Sequence, residues 1–102
     1  MMLTALGLMS GTSLDGVDVA LIETDGRRVQ ALGPSGYRPY TEMERSLLRQ
    51  ALFEATDLPD RDARPGCLRD AERVVTSAHA EAVAAFVAQH RMRFDDIDIV
   101  GF

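Results

Sequence analysis

The chain has 102 residues, enough for one small domain with a modest core. Hydrophobic residues make up 46% and charged residues 26%, as in an ordinary soluble globular protein. The formal net charge of −5 argues against binding to nucleic acid, because that function requires a basic surface. All 11 basic residues are arginines, which excludes a P-loop lysine and a Schiff-base lysine.

The single cysteine and the amino terminus carry little functional signal. Cys67 excludes an internal disulfide, and no histidine or second cysteine is near it in the sequence, so we interpret it as a structural thiol. No apolar run approaches the roughly 18 residues of a membrane span. The segment Met1–Leu6 lacks the positive charge of a signal peptide and is interpreted as the start of a strand. We therefore expect a cytoplasmic protein without a membrane partner.

The first third of the chain predicts an antiparallel meander of three strands. The strand Thr4–Met9 is apolar almost throughout, which is typical of a central strand. The strand Val17–Glu23 alternates its side chains between two faces. Asp25-Gly26 predicts the next turn, and a third strand follows at Arg28–Tyr37. Gly33-Pro34 within that strand predicts a bend or bulge and a position at the sheet edge.

Two helices are predicted next. Thr41 and Glu44 form a capping box before a helix over Glu42–Ala55. The polar segment 56–66 reads as a solvated loop, and a second helix covers Leu68–His90. The first helix is expected to bury one apolar stripe: Met43, Leu47, Leu48, Ala51, Leu52 and Ala55. The inner face of the second is expected to comprise Leu68, Ala71, Val74, Val75, Ala78, Ala82, Ala85, Phe86 and Gln89.

The order β-β-β-α-α-β matches the opening of a ribonuclease H-like α/β domain with a mixed sheet. The last predicted strand, Ile97–Phe102, has the composition of a buried strand and reaches the final residue. A domain seldom ends without a polar tail beyond such a strand. We therefore expect an incomplete domain that belongs to a longer protein.

The loop between the first two strands has the composition of an anion site. Gly11 and Gly16 allow unusual backbone conformations and close approach to a ligand. Thr12 and Ser13 carry hydroxyls that can donate to phosphate oxygens. Backbone N–H groups of such a loop can converge on one small anion, which suits the phosphates of a nucleotide.

Two carboxylates accompany this loop. Asp15 repels phosphate, so it would act through hydrated Mg²⁺ or by bracing the loop, and Asp18 could also face a hydrated metal ion. An alternative is a polar hairpin with Asp15-Gly16 at its turn. The loop is neither a Walker A motif nor a G-x-G-x-x-G fingerprint, so its composition alone leaves both interpretations open.

The longer run Met9–Ala20, with the sequence MSGTSLDGVDVA, resembles the amino-terminal signature of anhydro-N-acetylmuramic acid kinases. The resemblance extends from Gly7 to Leu21, and the layout of a meander, two helices and a strand ending in VGF at 100–102 is also similar. In that family the last strand continues into a His-Gly-Gln-Thr motif, which is absent from this chain. The resemblance covers about the first quarter of a family member.

The resemblance implies a two-domain sugar kinase of the actin/hexokinase-like superfamily, with residues 1–102 forming the amino-terminal part of its first ribonuclease H-like domain and the second domain absent. Such enzymes bind ATP and Mg²⁺ between their domains. This family opens 1,6-anhydro-N-acetylmuramic acid with water and phosphorylates its 6-oxygen, giving N-acetylmuramate 6-phosphate in peptidoglycan recycling and amino-sugar metabolism. The family's nucleotide-binding segment corresponds to Gly11, Thr12, Ser13, Leu14, Asp15, Gly16, Val17 and Asp18.

The resemblance also implies that the catalytic residue of the family is absent from this chain. The family's catalytic aspartate lies in a later segment, so no catalytic residue is assigned in this chain. The expected partners are ATP and a small amino sugar, with a homodimer as one candidate state of the full-length protein and no nucleic acid partner.

Two alternatives remain. A nuclease on the same fold needs a carboxylate in the middle of the first strand, where this chain has Leu6, Gly7 and Leu8. A catalytically inactive fragment is the other alternative. Such a fragment is expected to expose apolar surface and to self-associate.

Overall fold

The computed structural model describes residues 1–11 and 13–102. Two short 3-10 turns, Ala55–Asp57 and Phe94–Asp96, accompany the main elements. These elements confirm the predicted α/β class and the order β-β-β-α-α-β. In chain order they are β1 (Leu3–Met9), β2 (Gly16–Thr24), β3 (Val29–Pro39), α1 (Glu42–Glu54), α2 (Leu68–Gln89) and β4 (Ile99–Gly101).

The four strands form one mixed sheet in the order β3-β2-β1-β4. The pairs β1–β2 and β2–β3 are antiparallel, whereas β4 is parallel to β1. The central position predicted for the first strand is therefore confirmed. The predicted bulge is also present, because the register passes from Ala20–Ser35 to Ile22–Leu32 and leaves Gly33 and Pro34 opposite a single residue.

One face of the sheet packs against both helices and forms the core. Val17 and Val19 of β2 are buried on that face, whereas Asp18 and Ala20, which alternate with them, are exposed on the other. This alternation follows from the period of two in a strand. The helices contribute side chains at helical spacing to the same cluster: Leu48 and Ala51 from α1, and Leu68, Ala71, Ala78, Ala82 and Phe86 from α2.

The start of α1 follows from its own sequence. The Thr41 hydroxyl accepts from the Glu44 N–H, and the Glu44 carboxylate accepts from the Thr41 N–H, so the predicted capping box is confirmed. The predicted apolar stripe is wrong in part, since Met43 is 85% exposed and Leu52 is 56% exposed. The helix buries a narrower stripe because it meets the core mainly along the i, i+3 pair Leu48 and Ala51.

The predicted inner face of α2 needs a similar correction. Val87 is buried, whereas Ala85 and Gln89 are exposed. The buried side chains in the second half of α2 are four residues apart, at Ala78, Ala82 and Phe86. The contact then moves one residue along the helix to Val87. Within the described residues, neither helix is long and apolar enough to cross a membrane.

The last strand is shorter and more exposed than predicted. It covers Ile99–Gly101, and Ile99 and Val100 are 48% and 47% exposed. The expectation of a buried strand is wrong for this structure because β4 lies at the edge of the sheet. Asp98 ties the start of β4 to β1, with its carboxylate accepting from the Thr4 N–H and its N–H donating to the Thr4 carbonyl, both at 2.8 Å.

Candidate functional site

The loop between β1 and β2 contains a tight turn. The Leu14 N–H donates to the Gly11 carbonyl at 3.1 Å, and Leu14 has a φ of 57°. A left-handed backbone is uncommon for a residue other than glycine, and such strain is often stored at functional sites. β1 and β2 do form a polar hairpin, as the alternative interpretation has it, but the backbone hydrogen bond that closes its turn joins Leu14 to Gly11 and does not lie at Asp15-Gly16. The predicted site residue Thr12 lies outside the described residues.

The two glycines of the loop serve different purposes. A Cβ added to Gly11 would meet nothing within 4 Å, so the space around this residue is open. A Cβ at Gly16 would lie 2.5 Å from the Arg38 carbonyl oxygen and 2.8 Å from the Pro39 Cα. Gly16 lies in β2 without a positive φ, so the unusual backbone conformation expected of it is absent. Gly16 is required because β3 approaches β2 too closely for a side chain.

Tyr40 holds both ends of this loop. Its hydroxyl donates to Ser10 Oγ at 3.1 Å, and its backbone N–H donates to the Asp15 carbonyl at 2.8 Å. The Tyr40 side chain is buried, and the Arg38 guanidinium lies 5.7 Å from its ring centroid. Sequence reasoning missed Tyr40, because nothing in the local pattern indicates a contact with residues 25 to 30 positions earlier.

Asp15 faces the start of α1. Its Oδ1 lies 3.6 Å from Nη2 of Arg45, whose Nη1 is 3.6 Å from Glu42 Oε1. Arg45 Nε is buried and finds no hydrogen-bond partner within the described part of the chain. This arrangement favours the bracing role for Asp15, because its carboxylate faces the guanidinium of Arg45 on α1. Arg45 is the second residue that sequence reasoning missed.

Asp18 lies on the face of the sheet that the helices leave uncovered. It pairs in register with Met9 on β1 and Tyr37 on β3. A shallow hollow of about 450 Å³ adjoins it, lined by Gly7, Leu8, Met9, Asp18, Ala20, Gly101 and Phe102. Because Asp15 is directed toward α1, the two aspartates have separate environments. In residues 1–11 and 13–102, no three His, Cys, Asp or Glu side chains are close enough together to hold a metal ion.

The other residues of the predicted nucleotide segment differ in how far their side chains are exposed to solvent. Ser13 is exposed, as is Gly11. Leu14 packs against the core cluster, and Val17 is fully buried within it. Leu14 and Val17 can therefore reach a ligand only through their main chain.

The lone thiol is held in its protonated form. Cys67 Sγ lies 2.9 Å from Glu54 Oε2, and the hydrogen bond to this carboxylate raises the pKa of the thiol above its usual value. The same contact lowers the pKa of Glu54. Since the thiolate is the reactive form, this geometry agrees with a structural role for Cys67.

Comparison with known proteins identifies the family. The family model described as "Anhydro-N-acetylmuramic acid kinase" matches residues 3–102. Curated relatives with that name include proteins from Bradyrhizobium diazoefficiens, 79% identical over 102 residues, and Rhodopseudomonas palustris, 78% identical over 102 residues; each match covers 100% of this chain and 28% of the relative. A third, from Methylorubrum extorquens, is 56% identical over 108 residues, covering 96% of this chain and 29% of the relative.

The chain spans only 28% of the length of the first two relatives. The match nevertheless includes every described element from β1 to β4. The mixed sheet and the element order agree with the actin/hexokinase-like fold of these phosphotransferases. The chain therefore belongs to the anhydro-N-acetylmuramic acid kinase family.

Proposed function

We propose that residues 11–18 form the ATP phosphate-binding loop of a kinase that acts on 1,6-anhydro-N-acetylmuramic acid. The position and openness of Gly11 carry this proposal. The loop follows the carboxyl end of β1, which is parallel to β4, and ligands of open α/β sheets bind at the carboxyl ends of parallel strands. The open space around Gly11 leaves room for a phosphate group against the backbone.

The donors that this loop would offer follow from its hydrogen bonds. The Leu14 N–H is already bonded to the Gly11 carbonyl, so it is not available to a ligand. The N–H groups of residues 11–13 and the hydroxyls of Thr12 and Ser13 are therefore the donors that we assign to the β- and γ-phosphates. Asp15 would brace the loop against Arg45 at 3.6 Å.

Mg²⁺ fits this site as a hydrated ion. It prefers one or two carboxylates together with water and substrate phosphates, and the described residues offer separate carboxylates rather than a cluster. Asp18 would contact the ion through one of its waters, because Asp15 is engaged by Arg45. When bound with ATP, Mg²⁺ would neutralise charge on the transferring phosphoryl group.

The overall reaction that we propose is hydrolytic ring opening with phosphorylation. The water oxygen bonds to C1 as the C1–O6 bond breaks, O6 takes the γ-phosphoryl group as its bond to ADP breaks, and the products are N-acetylmuramate 6-phosphate, ADP and the proton released from water. This activity would belong to cytoplasmic peptidoglycan recycling and amino-sugar metabolism. We assign no residue of this chain to activation of the water, so the 102-residue chain alone is expected to be inactive. The homodimer of the full-length protein stays a prediction.

Variants of the loop should separate ATP use from sugar binding. In the full-length protein, we expect Gly11→Val to fill the open space and Thr12→Ala to remove one phosphate donor. Each should raise the KM for ATP about tenfold, the effect of losing one hydrogen bond to a charged group. Steady-state kinetics with the anhydro sugar and Mg-ATP as varied substrates would measure both constants.

The matched control is Thr76→Ala, which removes a hydroxyl from an exposed position on α2. It should leave both KM values within about twofold of the wild type, as expected for a surface substitution. Unchanged ATP kinetics in Gly11→Val and Thr12→Ala alike would overturn the assignment of this loop.

A further inference from the structure

The hydroxyl of Ser10, one residue before the predicted nucleotide segment, is oriented by Tyr40. Ser10 Oγ accepts the Tyr40 O–H at 3.1 Å, so its own proton is left for another acceptor. Within the described part of the chain, that proton has no acceptor. Ser10 is half-buried beside the turn that Gly11 and Leu14 close. A half-buried donor that is already polarised by a neighbouring hydroxyl is suited to an anion.

The backbone of Tyr40 fixes where this hydroxyl points. Because the Tyr40 N–H donates to the Asp15 carbonyl at 2.8 Å, one buried residue determines the separation of the two ends of the loop. The burial of Tyr40, only 6% exposed, leaves its hydroxyl little freedom to adopt another geometry. The Arg38 guanidinium on the Tyr40 ring, 5.7 Å from its centroid, adds to that constraint.

We propose that Ser10 donates a hydrogen bond to a phosphate oxygen of the nucleotide and that Tyr40 is its positioning residue. This proposal rests on the proposed function of the loop, and it extends the phosphate-binding segment by one residue. In this arrangement the Tyr40 hydroxyl donates to Ser10 Oγ, and the Ser10 hydroxyl donates its own proton to the anion. No covalent step is involved.

The test uses Ser10→Ala, Tyr40→Phe and the double variant in the full-length protein. Tyr40→Phe removes only the hydroxyl and keeps the ring and the backbone N–H. We expect Ser10→Ala to raise the KM for ATP about fivefold and Tyr40→Phe about threefold, with the KM for the anhydro sugar unchanged. The double variant should equal Ser10→Ala alone, because Tyr40 acts through Ser10.

A matched control removes the same group elsewhere. Ser46→Ala removes a serine hydroxyl from the exposed side of α1. It is expected to leave the KM for ATP unchanged. A lower melting temperature for Tyr40→Phe with an unchanged KM for ATP would show a purely structural role and overturn the proposal.

The outcomes separate this inference from the proposed function. If Thr12→Ala raises the KM for ATP while Ser10→Ala does not, the loop binds phosphate and the inference about Ser10 is wrong. Independent, multiplicative effects in the double variant would overturn the positioning role of Tyr40. If Gly11→Val, Thr12→Ala and Ser10→Ala are all without effect, the proposed function fails together with the inference.

Discussion

Gly16→Ala is expected to destabilise the full-length protein by about 2–3 kcal/mol, the upper part of the range for overpacking a tight interior. The added Cβ would lie 2.5 Å from the Arg38 carbonyl oxygen and 2.8 Å from the Pro39 Cα. Both are backbone atoms, so relief requires a shift of β3 away from β2. Because Tyr40 directly follows β3, that shift would also displace the anchor of the loop.

The matched control for this prediction is Gly11→Ala. It adds the same atom where nothing lies within 4 Å, and loss of glycine restricts the unfolded chain. We expect it to change stability by no more than about 0.5 kcal/mol, as for a surface substitution. Urea unfolding of both variants would measure the difference. Equal stability of the two variants would show that β2 and β3 do not approach as closely as the structure indicates.

Arg38→Met is expected to cost about 2 kcal/mol, because Arg38 joins β3 to both helices. Its guanidinium lies 2.7 Å from Glu44 Oε1 and 2.7 Å from Glu81 Oε2. Breaking a fully buried ion pair costs about 3–5 kcal/mol. We expect less here because the Glu81 side chain is 60% exposed and solvent screens it. Methionine keeps an apolar side chain of similar length, so the decrease in stability measures the contribution of the guanidinium group.

The pH dependence of stability should identify the same contact. The Arg38 hydrogen bond, and then the Thr41 N–H, lower the pKa of Glu44 from 4.5 to about 2. A depressed carboxyl pKa gives stability that is complete above the unfolded pKa and is lost as the pH falls through the folded one. The wild type should therefore lose this contribution between about pH 4.5 and pH 2.

Urea unfolding at several pH values would measure this loss. Arg38→Met should show a smaller decrease over that range, because the unpaired Glu44 carboxyl titrates closer to its usual pKa. Arg49→Met removes a guanidinium from an exposed position on α1 and should retain the wild-type decrease. The same pH dependence in all three proteins would contradict the ion pair.

Features set by neighbouring residues could be predicted from the sequence. The capping box joins Thr41 to Glu44 within one turn, and the bulge arises where Gly33-Pro34 interrupts the ladder. The burial of individual apolar residues could not be predicted in the same way. Met43 has the spacing of a core residue but is exposed, because burial depends on where the other elements lie.

In the candidate site too, the features set by local sequence could be predicted, and those set by distant contacts could not. Its place between two apolar strands could be read from the sequence, as could the resemblance of the run around it. The anchor Tyr40 could not, since its partner Ser10 is 30 positions away in the chain. The need for glycine at position 16 comes from the approach of β3, which no local pattern shows.

The most direct test of the central claim is a crystal structure of the full-length protein with Mg²⁺ and a non-hydrolysable ATP analogue. The decisive measurement is the distance from the β- and γ-phosphate oxygens to the backbone nitrogens of residues 11–13. The account predicts hydrogen bonds of about 3 Å between these atoms. Phosphates bound elsewhere, with the loop out of hydrogen-bond reach, would contradict it.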